Sequence, residues 1–117
     1  MPDVINKEVA ACARFQLISP RKIRFVMDLI RGKRVVDAES TLTFLPHRAA
    51  RLLKKVLRSA TANAEHNFHF KKDRLRIAKG VVDEGPILRR FQPRARGRAF
   101  PIKKKMSHVT LVLKAGA

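Results

Sequence analysis

Residues 106–114 read Met-Ser-His-Val-Thr-Leu-Val-Leu-Lys (MSHVTLVLK), and the alternation of side-chain types along them decides the fold class. The two faces of this extended stretch carry Val109, Leu111 and Leu113 on one side and His108, Thr110 and Val112 on the other. A period of two is typical of a β-strand. The same period begins near residue 74, where Leu75, Ile77 and Val81 alternate with Arg76, Ala78 and Val82. A hairpin of two long antiparallel strands is the economical connection between the segments.

The first predicted helix covers residues 20–31, upstream of the hairpin. Ser19 and Pro20 supply an N-cap residue and a first-turn proline, which is the usual opening of an α-helix. Apolar residues then recur at intervals of three and four, as on the buried face of an amphipathic helix. These residues are Ile23, Val26, Met27 and Ile30. Gly32 follows as a C-terminal stop.

A short strand and two further helices complete the predicted elements. The strand covers residues 10–18, and its alternating positions are Ala13, Phe15 and Leu17 on one face and Arg14 and Gln16 on the other. The second helix covers residues 35–45 and is closed by Pro46. The third covers about residues 47–66, and residues 66–69 are expected to fray into a polar loop. Its predicted buried face consists of Ala49, Leu52, Leu53, Val56, Leu57, Ala60 and Ala64.

The charge balance indicates a polyanionic partner. The 117 residues include 27 Lys and Arg against nine Asp and Glu, which gives a formal net charge of +18 and a pI near 11.6. Self-repulsion of that size opposes a compact state unless a polyanion screens it. The length fits one domain over residues 1–117, and a hydrophobic content of 45% suffices for a modest core. A nucleic acid is therefore the expected partner.

The strongest candidate site is residues 89–105, which lie within the segment of residues 86–105 that joins the two predicted strands. This segment has three prolines and no acidic residue, so we expect a hairpin over about residues 82–108 whose distal part projects from the domain. The turn is expected near Gly97, which tolerates positive φ. Five arginines interleaved with Phe91 and Phe100 suit bidentate phosphate contacts and base stacking better than a solvated loop or a localisation tag. The basic residues are Arg89, Arg90, Arg94, Arg96, Arg98, Lys103, Lys104 and Lys105.

A second candidate site is the start of the first helix, where Arg21, Lys22 and Arg24 follow Ser19. Cations are unfavourable there for the bare helix, because its N-terminus is the positive end of the helix dipole. An anionic partner would remove this penalty and would also use the free N–H groups. The alternative is a tolerated surface cluster.

A third candidate site is the basic face of the third helix, for which phosphate contact and simple solvation are equally open. Its residues are Arg51, Lys54, Lys55 and Arg58.

Constellations that would carry catalysis or hold a metal are weak. His66 and His69 have a helical ligand spacing, but Asp73 is the sole carboxylate near a third-ligand position. The pair Asp83-Glu84 precedes Gly85-Pro86, which suggests a turn or an internal ion pair and not an acid–base dyad. We therefore predict that the protein is not an enzyme and uses no cofactor and no metal.

The remaining composition bears on location. No apolar run approaches the ~18 residues of a membrane span, and the first residues lack the pattern of a secretion signal. A single cysteine, Cys12, fits a reducing compartment. We expect a cytoplasmic protein without a membrane partner, and an organelle matrix remains open.

Several motifs, taken in chain order, resemble the signature of the large-subunit ribosomal protein family twenty-two of bacterial type. The motifs are Ser19-Pro20-Arg21-Lys22, Asp28-Leu29-Ile30-Arg31-Gly32-Lys33, Ala62-Asn63-Ala64-Glu65-His66-Asn67, Val82-Asp83-Glu84-Gly85-Pro86, Arg89, Arg94-Ala95-Arg96-Gly97-Arg98-Ala99, and His108-Val109 with Leu111 and Leu113. The resemblance covers about residues 10–113 without evident gaps. Gln92, Pro101 and Met106 depart from the family pattern, which puts some phosphate contacts along the hairpin in doubt.

The resemblance implies both a fold and a function. The fold is α/β (α+β), with a small three-stranded antiparallel sheet, three helices packed on it and a long protruding β-hairpin. The function is that of a structural constituent of the large ribosomal subunit, which binds ribosomal RNA, contacts neighbouring large-subunit proteins and aids subunit assembly. The hairpin would form part of the wall of the nascent-peptide exit tunnel, with residues 94–99 at the tip near the nascent peptide. No homo-oligomer is expected, and the ribosome is cytoplasmic or organellar.

Two other functions also fit the charge. A nucleoid-type DNA-binding protein would aim a helix or ribbon at a groove, often as a dimer, and would sediment with chromosomal DNA. A small RNA-modifying enzyme, such as a nuclease, would turn over ribosomal RNA in the presence of Mg²⁺.

Overall fold

The structure is a computed structural model that describes residues 8–93 and 99–115, with side chains over residues 8–87 and 105–115. Its elements are strand β1 (Glu8–Gln16), helices α1 (Pro20–Ile30), α2 (Val35–Phe44) and α3 (Arg48–Phe68), a short 3-10 turn (Lys72–Arg74), and strands β2 (Leu75–Pro93) and β3 (Ala99–Ala115). The fold is α+β, as predicted, with three helices and a three-stranded antiparallel sheet among the described residues.

Strand β3 is the centre of the sheet, whose order is β1-β3-β2. All of residues 107–114 pair with β2 on one side, and all of them except His108 pair with β1 on the other, both antiparallel. The backbone N–H and C=O groups of this segment therefore find partners on both sides, as buried backbone requires. Val109, Leu111 and Leu113 are fully buried. The alternation of residues 106–114 thus predicted the core face of the central strand correctly.

The helices bury the stripes that their sequences predict. In α1 the residues Ile23, Val26, Met27 and Ile30 are all buried, and Gly32 follows the helix with a φ of +75°. Helix α1 packs on β2, whereas α3 packs on β1 and β3. The predicted face of α3 is buried except for Leu52, which is half-buried. None of the described helices is long and apolar enough to cross a membrane.

The pairing of β2 with β3 extends far beyond the helices. It runs from the pair Leu75–Ala115 to the pair Pro93–Ala99, so the predicted hairpin is longer at its base than residues 82–108. A strand of this length spans about 60 Å at roughly 3.3 Å per residue. That span accounts for the elongated molecule, which measures 69 × 26 × 20 Å. The predicted turn at Arg96-Gly97-Arg98 lies outside the described residues.

The predicted alternation of β2 is wrong beyond Ile77. The register with β3 shifts between Ile77 and Lys79, so an extra residue reverses the inward and outward positions that follow. Val82 is buried, and Val81, which was expected to share a face with Leu75 and Ile77, is half-buried. Sequence periodicity could not reveal this reversal, because a bulge is defined by the partner strand.

The predicted strand of residues 10–18 ends earlier than expected. The register of β1 shifts after Ala13, and Phe15 adopts a left-handed φ of +56°. The N–H of Phe15 donates to Nδ1 of His108 at 3.1 Å, and the two rings meet edge-on with centroids 4.8 Å apart. Phe15 and Leu17 are therefore exposed, at 59% and 49%, and do not continue the face of Ala13.

Helix α3 continues through Phe68, so the prediction that residues 66–69 fray into a loop is wrong for residues 66–68. Phe68 and Phe70 are half-buried against the core, and their rings stack with centroids 6.0 Å apart. The N–H of Phe70 donates to the carbonyl of Ala64 at 3.1 Å after His69 takes a left-handed φ of +56°. These tertiary contacts stabilise a helix end that its polar residues do not predict.

We predict that Gly80→Val destabilises the fold through Met27. A Cβ at position 80 would overlap the Met27 Sδ and would lie 3.0 Å from its Cγ, in the contact of β2 with α1. Overpacking of this kind lowers the free energy of unfolding by about 1–3 kcal/mol. Chemical unfolding of Gly80→Val, Met27→Ala and the double variant measures the free energy of unfolding of each. The free energy of unfolding of the double variant should fall by less than the sum of the two single decreases. Strictly additive decreases would contradict the proposed clash.

Candidate nucleic-acid interface

The start of α1 is built as the sequence predicts, with one difference. Ser19 occupies the N-cap position and Pro20 the first turn. The carbonyl of Ser19 accepts hydrogen bonds from the N–H groups of Lys22 and Ile23 at 3.1 and 3.3 Å. The Ser19 side chain, however, makes no capping hydrogen bond. The first turn contains no acidic residue, so the positive end of the helix dipole lacks the carboxylate that would usually compensate it.

The segment that leads into α1 is anchored to the central strand. The hydroxyl of Ser107 is buried and donates to the carbonyl of Ile18 at 2.5 Å. Because Ser107 belongs to the doubly paired part of β3, this bond gives the start of α1 a defined position relative to the sheet. The sequence alone offers no sign of it, since the two residues are 89 positions apart.

The start of α3 lies beside the start of α1. The two helix starts border one cleft of about 690 Å³, which is lined by residues 17–19, 21–22 and 46–49 together with Phe25 and Val26. Arg21 and Lys22 come from α1 and Arg48 comes from α3, and all three side chains are exposed. Sequence reasoning predicted Arg21 and Lys22 but missed Arg48, because only the tertiary fold brings residues 46–49 next to residues 17–25.

Several arginines of α1 and its surroundings hold the fold together. Arg24 donates to the carbonyl of Val82 at 2.9 Å, and Arg31 donates to the carbonyl of Gly80 from both Nε and Nη2, at 3.2 and 3.1 Å. Arg34 likewise donates to the carbonyl of Asp73 at 3.1 Å. Arg24 was predicted as part of the anion site, yet it has an internal partner on β2. Arg21 and Lys22 are the predicted residues of this cluster that face solvent without one in the described structure.

Few of the basic side chains form ion pairs among the described residues. Among the described side chains, the salt bridges are Arg31 with Asp28 and Lys72 with Glu39, the latter at 2.6 Å. The second joins the 3-10 turn to α2, which contains Asp37 and Glu39 and no basic residue. The cations around the cleft and on α3 have no carboxylate at salt-bridge distance among these side chains. On α3, the residues Arg51, Lys55 and Arg58 are exposed and Lys54 is half-buried.

The hairpin site is described mainly by its backbone register. Arg89 pairs with Lys103, Arg90 with Ile102, and Leu88 with Lys104, so basic positions lie opposite each other or nearly so across the two strands. Lys105 is exposed. The side chains of Arg89, Arg90, Lys103 and Lys104 lie outside the described part of the chain, as do Phe91, Phe100 and the whole of Arg94-Ala95-Arg96-Gly97-Arg98. Ala99 begins β3.

Comparison with known proteins shows the family to which this sequence belongs. The chain belongs to the family described as ribosomal protein L22p/L17e, whose model matches residues 11–114. It is therefore a structural constituent of the large ribosomal subunit, cytoplasmic with the ribosome, and not an enzyme.

Two relatives carry the name large ribosomal subunit protein uL22. The protein of Caldicellulosiruptor saccharolyticus is 51% identical over 108 residues, which cover 92% of this chain and 88% of that protein. The protein of Clostridium novyi is 50% identical over 110 residues, which cover 94% of this chain and 99% of that protein. Both likenesses extend over nearly the whole chain, and they confirm the resemblance drawn from the motifs.

We predict that Arg31→Ala lowers the free energy of unfolding more than Arg21→Ala does. Both variants remove one positive charge, but only Arg31 bonds the carbonyl of Gly80. Loss of a partly buried bond of this kind lowers the free energy of unfolding by about 1–3 kcal/mol. Arg21→Ala should stay within about 0.5 kcal/mol of the parent chain. Urea unfolding measures both, and equal losses would contradict the assignment.

Proposed function

We propose that this protein binds ribosomal RNA through two surfaces, the basic residues around the starts of α1 and α3 and the basic hairpin of β2 and β3. One observation carries the proposal, namely that cations at the helix starts are exposed and lack carboxylate partners among the described side chains. In a chain of net charge +18, these cations repel one another, and a polyanion beside them would offset that repulsion.

The mechanism is charge neutralisation and fit of shape. Each Lys or Arg that contacts a phosphate releases condensed counterions, so the affinity falls steeply as salt is added. Arginine adds bidentate hydrogen bonds to phosphate, which fix orientation as well as charge. A protein that holds phosphates of several RNA segments at once lowers their mutual repulsion. It thereby aids assembly of the subunit.

The hairpin, in this proposal, enters the RNA and forms part of the wall of the nascent-peptide exit tunnel, with residues 94–99 at its tip beside the nascent peptide. Three features support it. The paired strands span about 60 Å, residues 86–105 contain no acidic residue, and basic residues occupy paired positions such as Arg89 and Lys103. Like charges in paired positions destabilise a sheet unless an anion lies between or beside them.

Neighbouring large-subunit proteins are the proposed partners of α2. This helix has no basic residue, and it exposes Val36 at 40% and Phe44 at 86%. Apolar and acidic side chains suit a basic protein better than they suit RNA.

In this proposal the chain acts as a single copy and forms no homo-oligomer.

We predict that Arg21→Glu with Lys22→Glu weakens binding to ribosomal RNA outright. The slope of log Kd against log salt should fall by about 0.7–0.9 for each phosphate that the variant no longer neutralises. Filter binding across a salt series measures both quantities. The control is Lys71→Glu with Arg74→Glu, which makes the same charge change at one exposed lysine and one exposed arginine that lie outside the cleft and pair with no carboxylate among the described side chains. An equal loss of affinity in the control would remove the helix-start surface from the proposal.

Deletion of residues 94–99 tests the tunnel part of the proposal separately. We expect the shortened protein to sediment with the large subunit, because the body supplies most of the RNA contacts. Passage of a nascent peptide that stalls in the tunnel should change, as read by ribosome arrest in a translation extract. Failure of the shortened protein to enter the subunit would show that the tip is a main anchor instead.

A further inference from the structure

The cleft between the starts of α1 and α3 has an apolar interior beneath its basic residues. Val26 and Ala49 form a buried part of its lining, at 1% and 3% exposure. Phe25 and Leu17 line it while remaining 61% and 49% exposed. Its volume of about 690 Å³ lies within the range of clefts that take small organic groups. Two large apolar side chains are thus left open to solvent at one concave place.

The rim of the same cleft is cationic. Arg21 and Lys22 come from α1, Arg48 comes from α3, and none of the described residues that line the cleft is acidic. Arg21 and Phe25 are four residues apart on α1, so they lie on the same side of the helix about one turn apart. An anion held at the rim would therefore lie beside an open aromatic ring.

The cleft is held in shape before any ligand binds. Ser107 anchors the carbonyl of Ile18, which belongs to one wall. Elsewhere in the lining, the rings of Phe25 and His47 meet edge-on, at an interplanar angle of 85° and with centroids 6.1 Å apart. This contact joins α1 to the residue that precedes α3. These two contacts lower the cost of ordering the cleft when a ligand binds.

We infer that the cleft receives an unpaired base of the RNA strand, which stacks on Phe25 while Arg21, Lys22 and Arg48 hold the phosphates beside it. The inference rests on the proposed RNA binding and names the structure recognised at that site. A base within a duplex presents only its edges, because both of its faces are stacked. An unpaired base has an apolar face that can enter a cleft, while the charged phosphates of its backbone stay at the rim. That division matches the apolar interior and cationic rim of the cleft.

The first experiment compares Phe25→Ala with Phe44→Ala in the full chain. Both are exposed phenylalanines, but Phe44 lies outside the cleft, so it is a matched control. The probes are single-stranded oligouridylate of about 12 nucleotides and a blunt RNA duplex of the same length. Phe25→Ala should weaken binding of the single strand by about 5- to 150-fold, the value of one stacked base. Its salt slope should stay unchanged, because the variant keeps every cation that neutralises a phosphate.

The duplex and large-subunit RNA separate the two possible failures. Phe25→Ala should leave duplex affinity unchanged, whereas equal reductions on both probes, or equal behaviour of Phe25→Ala and Phe44→Ala, would overturn the base site. The proposed RNA binding would survive that result, provided the parent chain still binds large-subunit RNA with a steep salt dependence. A parent chain that fails to bind large-subunit RNA would overturn both proposals.

A photo-crosslink in the assembled subunit tests the occupant directly. Phe25→p-benzoylphenylalanine introduces a reactive ring at the mouth of the cleft, and Phe44→p-benzoylphenylalanine is its control. An adduct between position 25 and an unpaired nucleotide of ribosomal RNA is the expected result. An adduct to a neighbouring protein, or to a paired nucleotide, would show that another group occupies the cleft and would overturn the inference.

Discussion

The double pairing of β3 along residues 107–114 is the constraint on which the rest of the structure depends. A strand buried in the middle of a sheet must satisfy its backbone groups on both sides, and β1 and β2 supply those partners. One face of the same strand carries Val109, Leu111 and Leu113, all fully buried. Helix α3 covers β1 and β3, and α1 covers β2. This arrangement fixes the positions of α1 and α3, whose starts form the candidate interface.

The surplus of cations is divided between two tasks. Arg24, Arg31 and Arg34 donate to backbone carbonyls and so join α1 and the turn after it to β2 and to the 3-10 turn before β2. Arg21 and Lys22 have no such partner in the described structure and face solvent. Carboxylates are scarce in a chain of net charge +18, so backbone carbonyl oxygens accept the hydrogen bonds of these three arginines, and among them only Arg31 also pairs with a described carboxylate, that of Asp28. The remaining cations are left for an anionic partner.

The candidate interface was predictable where it depends on local sequence. Ser19 and Pro20 mark a helix start whatever the fold, so Arg21 and Lys22 could be placed beside free N–H groups before the structure was known. The contribution of Arg48 was not predictable, since it requires residues 46–49 to return to the start of α1. The partner of Arg24 was not predictable either, because it is the backbone carbonyl of Val82, 58 positions away in the chain.

By itself, the sequence determined the three helices, the strands, the cationic surplus and the family. Periodicity shows which face of an element is buried, and short motifs mark turns. Both can be identified from local sequence, without knowing which residues lie nearby in space. Tertiary structure alone decided where β2 reverses its faces, why Phe15 is exposed, which arginines bond to backbone carbonyls, and that two helix starts form one cleft. Each of these depends on contacts between residues far apart in the chain, for which no local pattern exists.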